Sequence, residues 1–479
     1  MSSRWAERGR DVAAAASEMV WFCLVLVLAA SPFWLGGNRL ICWGLVSVAM
    51  GGLVLLQALP RLLGTAEWPL PPRAVAAPAI FFILFIGVAC VQLLPLPGAD
   101  PLRASAAEAL GQPLPSMISL SPDLTGLAVL RAVSAAAVFW IAVQLGRSET
   151  LALRLLTAIA AIAFAYAAYG IIAHTLSPAT LLWFEKTAYR DSVTSTFVNR
   201  NSFATYAGLG LLAAVAVATA AFRRAARGQS GWQRRLAAMI EASPGRAGLA
   251  VGAALVLIIA LMMSGSRAGI ACSLAALLVF VSACFMRRRS RTSWGLLVLI
   301  GGAAAIMLVA WVYGDTVAGR FEDVGDDAGR RLDVYAAVLR AIALNPMGTG
   351  FGAFADTFPT YRDTAIPVRF AWDKAHNSPL EAVFGLGVIG AAPAFALFLS
   401  ILWRTMRGVT VRRRNIFAPA VGVAACLLVG LHSLVDFSLQ VQAVTLVFAA
   451  MAGVAYAQSY GSRDFAPLHA EPVRIRRGR

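Results

Sequence analysis

The sequence predicts an all-α polytopic membrane protein with about twelve transmembrane helices and a long loop between helices 9 and 10, and three observations predict it. Of its 479 residues, 59% are hydrophobic and 14% are charged, too few ionisable side chains to coat a soluble fold of that length. Many apolar stretches approach the roughly 20 residues a helix needs to cross about 30 Å of hydrocarbon. Arginine clusters recur between alternate stretches, a pattern that orients helices in a bilayer.

The predicted spans run, in order, Val20 to Leu35, Leu40 to Leu59, Ala74 to Leu94, Leu127 to Leu145, Leu151 to Ile172, Phe203 to Phe222, Ala247 to Met263, Ala268 to Met286, Trp294 to Tyr313, Leu380 to Trp403, Ile416 to Leu434 and Val441 to Gln458. The first has no small-residue cleavage site and a second span follows closely, so it reads as a retained helix. Residues 1–19 then form a cytoplasmic N-terminus, 20–458 one integral membrane domain whose long outer loop is 314–379, and 459–479 a basic cytoplasmic tail.

The net charge is +17. The clusters after the sixth, eighth, tenth and twelfth spans, such as Arg223, Arg224 and Arg227 or Arg404, Arg407 and Arg412, all fall on one side. The positive-inside rule puts that side, and both termini, in the cytoplasm. The basic balance therefore speaks for orientation and for anionic membrane lipid as a partner, and against nucleic acid. The six cysteines, Cys23, Cys42, Cys90, Cys272, Cys284 and Cys426, all lie within spans without metal or redox spacing, so neither a disulfide framework nor a thiolate site is expected.

Three outer connections are long enough to hold structure: Pro95 to Thr125, Ser177 to Ser202 and Gly314 to Pro379. In the last, Leu332, Tyr335, Leu339 and Ile342 recur at helical spacing between Arg330 and Leu344, behind Asp326 and Asp327 at the N-terminal end, and predict an amphipathic helix. It should stop at Asn345-Pro346. The glycines that follow, including Gly350 and Gly352, either turn the chain or let backbone approach a ligand.

His376 stands immediately before the tenth span. A neutral imidazole there could take a proton from a hydroxyl, or it could be an interfacial histidine bonded to water. Arg200, beside Asn199 before the sixth span, and Arg267, in the turn between the seventh and eighth, put positive charge on the outer side against the orientation bias. A guanidinium facing a diphosphate would explain them, as would one snorkelling to headgroups. Arg190 and Arg331 are further candidates, each with an acidic neighbour. Asp436, near His432 at the outer end of the eleventh span, could pair with an arginine or orient a histidine, a salt bridge being the first expectation. The outer loops offer no paired histidines and no DxD element, so no metal site and no cofactor is expected. The spans carry few ionisable residues near their centres, which counts against ion-coupled transport.

Taken together, Gln92-Leu93-Leu94-Pro95, Ile118-Ser119-Leu120-Ser121-Pro122, Phe197-Val198-Asn199-Arg200-Asn201, Ser264-Gly265-Ser266-Arg267, Asn345 to Gly352, Ala375-His376-Asn377, and His432 with Asp436 make the chain resemble the O-antigen ligase and polymerase superfamily of bacterial membrane glycan transferases. The resemblance implies transfer of a glycan from an undecaprenyl diphosphate carrier to an acceptor hydroxyl at the periplasmic face of the inner membrane. It gives His376 the part of the essential histidine, Arg200 and Arg267 that of diphosphate ligands, and Asn377, Asn199, His432, Asp436, Gly350 and Gly352 supporting parts. The expected partners are the lipid-linked donor, a lipid A core or polysaccharide acceptor, and other polysaccharide-assembly proteins. The chain departs from the family pattern after the histidine, where Ser378-Pro379-Leu380 and Phe384-Gly385-Leu386-Gly387 replace an aromatic and an acidic residue.

Three enzyme readings share this chemistry: a ligase, favoured narrowly, a polymerase of O-antigen or exopolysaccharide, and protein O-glycosylation. A non-enzymatic transporter of lipid-linked glycan would also present outer arginines, but it predicts charges along a path through the bilayer instead of at one face.

Overall fold

The computed structural model describes residues 2–96, 101–241, 243–285, 324–363, 366, 372–412, 415–461 and 464–465. Eight helices are long and apolar enough to cross a membrane, and three shorter apolar helices, Ala15–Ala30, Phe417–Ser433 and Gln442–Gln458, join them. Together they coincide with every predicted span except the ninth. Trp294 to Tyr313, the arginines at 287–289 and 291, Glu322, Arg413, Arg414 and the tail from 466 lie outside the described residues.

The helices are α1 (Ser2–Ala30), α2 (Leu40–Leu62), α3 (Ala76–Val91), the short α4 (Pro101–Leu110), α5 (Pro122–Gly146) and α6 (Glu149–Leu176). A two-residue antiparallel hairpin, β1 (Thr180–Leu181) and β2 (Phe184–Glu185), precedes α7 (Arg200–Ala225). There follow α8 (Trp232–Glu241), α9 (Gly248–Met263), α10 (Arg267–Phe285), α11 (Val324–Leu344), α12 (Phe354–Thr357), α13 (Ser378–Leu386), α14 (Val388–Val411), α15 (Phe417–Ser433) and α16 (Gln442–Gln458).

Helix α7 is the pillar of the bundle: 83% of its most apolar window is buried inside the protein, against 17–56% for the other seven long spans. Its sequence suits that place. Gly210 faces the Ala163 side chain so closely that a Cβ would collide, and small residues at such contacts let helices approach where no hydrophobic effect drives them together. Most other spans turn broad Leu, Ile and Val surfaces outward, as lipid-facing helices do.

The predicted tenth span, Leu380 to Trp403, is not one helix. Gly387 (φ 78°, ψ 168°) separates α13 from α14, because the 346–348 backbone crosses there too closely for any side chain at 387. Of the two, α14 is the one long and apolar enough to cross a membrane. The amphipathic helix expected at 330–344 exists as α11, but its buried face is only in part the predicted one: Ile342 packs at its margin and Tyr335 is half-buried. Val334, Ala337, Val338 and Ala341 pack on Phe354, Phe358 and Ala375, while Leu332 and Leu339 remain 66% and 58% exposed. Small residues at i, i+3, i+4 and i+7 allow the close seat, which the larger leucines would have prevented.

Candidate active site

The glycine-rich segment after α11 is scaffold. Gln92, at the end of α3, donates through Nε2 to the Met347 (3.1 Å) and Gly385 (2.8 Å) carbonyls, and its Oε1 accepts from the Phe351 N–H (3.0 Å). Thr349 N–H donates to Phe384 O, Gly350 N–H to Gly385 O, and Leu120 N–H to Thr349 O. Gly350 (φ 117°) has Ser119 Oγ and Thr125 Oγ1 where a Cβ would point, and Gly352 has Ala128. Three segments carrying the family resemblance thus tie into one knot that seats α13. Neither glycine is placed to cradle a ligand, so their support is structural.

That knot delivers His376. Asn377 caps α13, its Oδ1 accepting from Leu380 N–H at 3.0 Å. His376 itself has φ 54°, a left-handed conformation uncommon outside glycine. Neighbours hold it there: Tyr335 Oη donates to the His376 carbonyl (3.1 Å), and Glu381 Oε2 accepts from Ala375 N–H (2.9 Å). Lys374 Nζ lies 4.0 Å from the other Glu381 oxygen. Asn377→Ala should lower stability by about 1 kcal/mol, the usual worth of such a cap, and should also reduce activity, because the cap fixes the residue next to His376. Thermal unfolding and turnover of the purified variant would check both.

The imidazole is 21% exposed, and its Nδ1 lies 3.6 Å from Oδ1 of Asp436, which is 1% exposed. Trp372 and Phe437 stand edge-on to the ring at centroid distances of 5.7 and 5.0 Å. Asp436 faces a histidine, not an arginine: among the described residues its ionic partner is His376. Burial raises its carboxyl, but the neighbouring His376 and His432 and the Phe437 N–H (2.6 Å) outweigh burial and hold it below the usual carboxylate value. Its stabilising contribution is present above the unfolded carboxylate pKa and is lost as pH falls through the lowered one.

The turn carrying Asp436 is fixed from two sides. Arg331 Nη1 donates to Val435 O (3.2 Å) and Ser378 Oγ to Asp436 O (3.1 Å). His432, expected near the outer surface, is buried, and its Nδ1 lies 3.1 Å from both Thr205 Oγ1 and Ser438 Oγ. It links this turn to α7, one and a half turns below Arg200.

Arg200 opens α7, whose cap is Asn199 (Oδ1 to Asn201 N–H, 2.7 Å). Its Nη1 reaches Ser192 Oγ at 3.4 Å, and its guanidinium lies over the Tyr189 ring at 5.1 Å. The Gly265 turn, two residues before Arg267 at the start of α10, lies against the same guanidinium. Arg190 is paired with Glu185 at 2.6 Å, a surface pair of little energetic weight, and its Nε donates to the Lys186 carbonyl at 3.0 Å. Arg147, Arg223, Arg404 and Arg412 sit at the opposite end of the bundle, around the α7 and α16 C-termini and Tyr460.

One end of the bundle therefore gathers a histidine on a buried carboxylate, flanked by Arg331, and a second group of Arg200 with the Arg267 turn, joined through Thr205 and His432. Among the described residues no three His, Cys, Asp or Glu side chains are gathered as a metal would need. Residues 252–395 match the family model described as O-antigen ligase. Over that segment the chain is similar to O-antigen ligases, which supports the resemblance drawn from its motifs. The matched segment runs from α9 into α14 and contains Arg267, Arg331, Gly350, Gly352, His376 and Asn377; Asn199, Arg200, His432 and Asp436 lie outside it. No curated protein matches the chain. The supports that sequence reasoning missed around His376 are Glu381, Tyr335 and Trp372. Of these only Glu381 left a sequence signal, four residues beyond the Asn377 cap, where a carboxylate can reach back to loop N–H groups.

Proposed function

We propose that the protein moves a glycan from undecaprenyl diphosphate to an acceptor hydroxyl at the periplasmic face of the bacterial inner membrane, with both termini in the cytoplasm. The single observation that carries the reading is His376 Nδ1 facing the buried Asp436 carboxylate. An Nδ1–H turned to Asp436 leaves Nε2 as the free base, so the acceptor hydroxyl gives its proton to Nε2 as its oxygen attacks the anomeric carbon. The bond to the diphosphate breaks as the new glycosidic bond forms, with inversion. Charge collects on the leaving diphosphate, where Arg200 and Arg267 offset it. The donor arrives activated, so the step draws on no cofactor.

The favoured acceptor is lipid A core, as for a ligase; a polymerase joining lipid-linked units runs the same chemistry. Purified protein given an undecaprenyl diphosphate oligosaccharide alone separates them. A product ladder identifies a polymerase, product only after lipid A core is added identifies a ligase, and no product under either condition turns the reading to transport. Asp436→Asn should leave the protein folded and lower turnover roughly 10- to 10⁴-fold, because an amide no longer sets the tautomer or steadies the imidazolium. Steady-state kinetics on the same substrates would check it.

A further inference from the structure

Lys186 follows the β2 strand in the connection between α6 and α7, and no motif draws the eye to it. It is 5% exposed. Its ammonium makes one hydrogen bond, from Nζ to the Ser192 carbonyl at 3.1 Å. Arg200 Nη1 approaches the hydroxyl of the same serine at 3.4 Å. Two cations therefore converge on one residue, and among the described residues neither forms an ion pair. Arg190, four residues from Lys186, is matched by Glu185, so the loop supplies a counter-ion to its exposed cation and none to its buried one.

A carbonyl could be held by any neutral donor. Burying an ammonium that makes one hydrogen bond among the described residues, on the serine that a guanidinium also approaches, is costly unless an anion completes the arrangement. Tyr189 offsets part of the cost for Arg200 through its ring face, but Lys186 has no such support. The turn at Gly265 (φ 61°) packs beside the same two groups: a Cβ there would be in ordinary contact with Arg200 Nη1 at 3.5 Å and Ser192 Oγ at 3.6 Å.

We propose that Lys186 is a further cation of the donor site, binding the diphosphate together with Arg200 across Ser192. This rests on the glycan-transfer reading above. It assigns the diphosphate, not the sugar or the polyprenyl chain, as the group recognised here. A diphosphate places one charged phosphate before each cation, whereas a monophosphate gathers its charge of about −1.5 to −2 at a single centre.

The test measures binding of undecaprenyl diphosphate, without glycan, to the full-length protein in nanodiscs, beside undecaprenyl monophosphate. Lys186→Gln keeps a donor for the Ser192 carbonyl and removes only the charge. It should weaken diphosphate binding about tenfold or more and narrow the preference over monophosphate, while Lys186→Arg should restore affinity to within about threefold of wild type. A purely structural lysine predicts unchanged diphosphate affinity in Lys186→Gln, and that result overturns the proposal.

His376→Ala separates the two ideas, since it should bind diphosphate normally yet not transfer. If His376→Ala transfers at the wild-type rate, the base assignment fails while the Lys186 result stands. If wild-type protein does not bind undecaprenyl diphosphate, both fail. Should Lys186→Gln not fold, a photoactivatable undecaprenyl diphosphate on wild-type protein decides: crosslinks to the 182–192 segment support the proposal, and crosslinks confined to other segments overturn it.

Discussion

Replacing His376 with alanine is expected to lower transfer by about 10²–10⁴-fold while the protein still inserts, elutes as wild type and binds donor. The ring is one-fifth exposed and reaches the rest of the protein through edge-on contacts and one carboxylate, so its removal costs little packing. What it removes is the proposed base. The left-handed backbone at 376 is held by Tyr335, Glu381 and the Asn377 cap, all of which remain in the variant. A local strain retained at such a position is characteristic of a site that needs one orientation of its side chain. Single-turnover transfer on lipid-linked donor, with melting temperature measured beside it, is the check. Full activity in a folded His376→Ala protein would end the general-base role.

Gly350→Val should produce the largest loss of stability. A side chain at φ 117° is strained by about 1–3 kcal/mol. Here it must also enter a space already held by Ser119 Oγ at 2.5 Å and Thr125 Oγ1 at 2.9 Å, and overpacking adds about 1–3 kcal/mol. The 2.8 Å contact between those two hydroxyls would be forced apart. Because the same knot seats α13, activity should fall together with the melting temperature. Gly350→Val that melts like wild type would show that the segment is pliable, and the glycine would return as a candidate ligand-binding element.

Most of the helical plan was legible in the sequence. Hydropathy and helix length are local quantities, and the described spans lie where apolar runs of sufficient length lie. The breaks were less legible. Gly387 sits within an unbroken apolar run, and only the crossing of the 346–348 backbone makes it the end of α13. The face of α11 was partly misread because leucines weigh more than alanines on any hydropathy scale, whereas packing selected the small residues. Among the site residues, Asn199 and Asn377 were named from the sequence only as supports; that each caps a helix shows in the structure. The partner of Asp436 was not: a carboxylate among several outer arginines suggests a salt bridge, and the structure turns it to a histidine sixty positions earlier in the chain.

By itself, then, the sequence determined the class of the protein, the course of its spans, the one-sided distribution of its arginines and the short list of polar residues free for chemistry. These follow from the cost of placing charge and unpaired backbone in hydrocarbon, which acts on each segment separately. Tertiary structure decided which residues lie together: His376 against Asp436, Arg200 and a lysine the sequence did not single out, Lys186, on Ser192, and the glycines in the scaffold. Such contacts depend on how α7, α13 and α15 pack, and a pairing between distant positions has no periodicity for a single sequence to display.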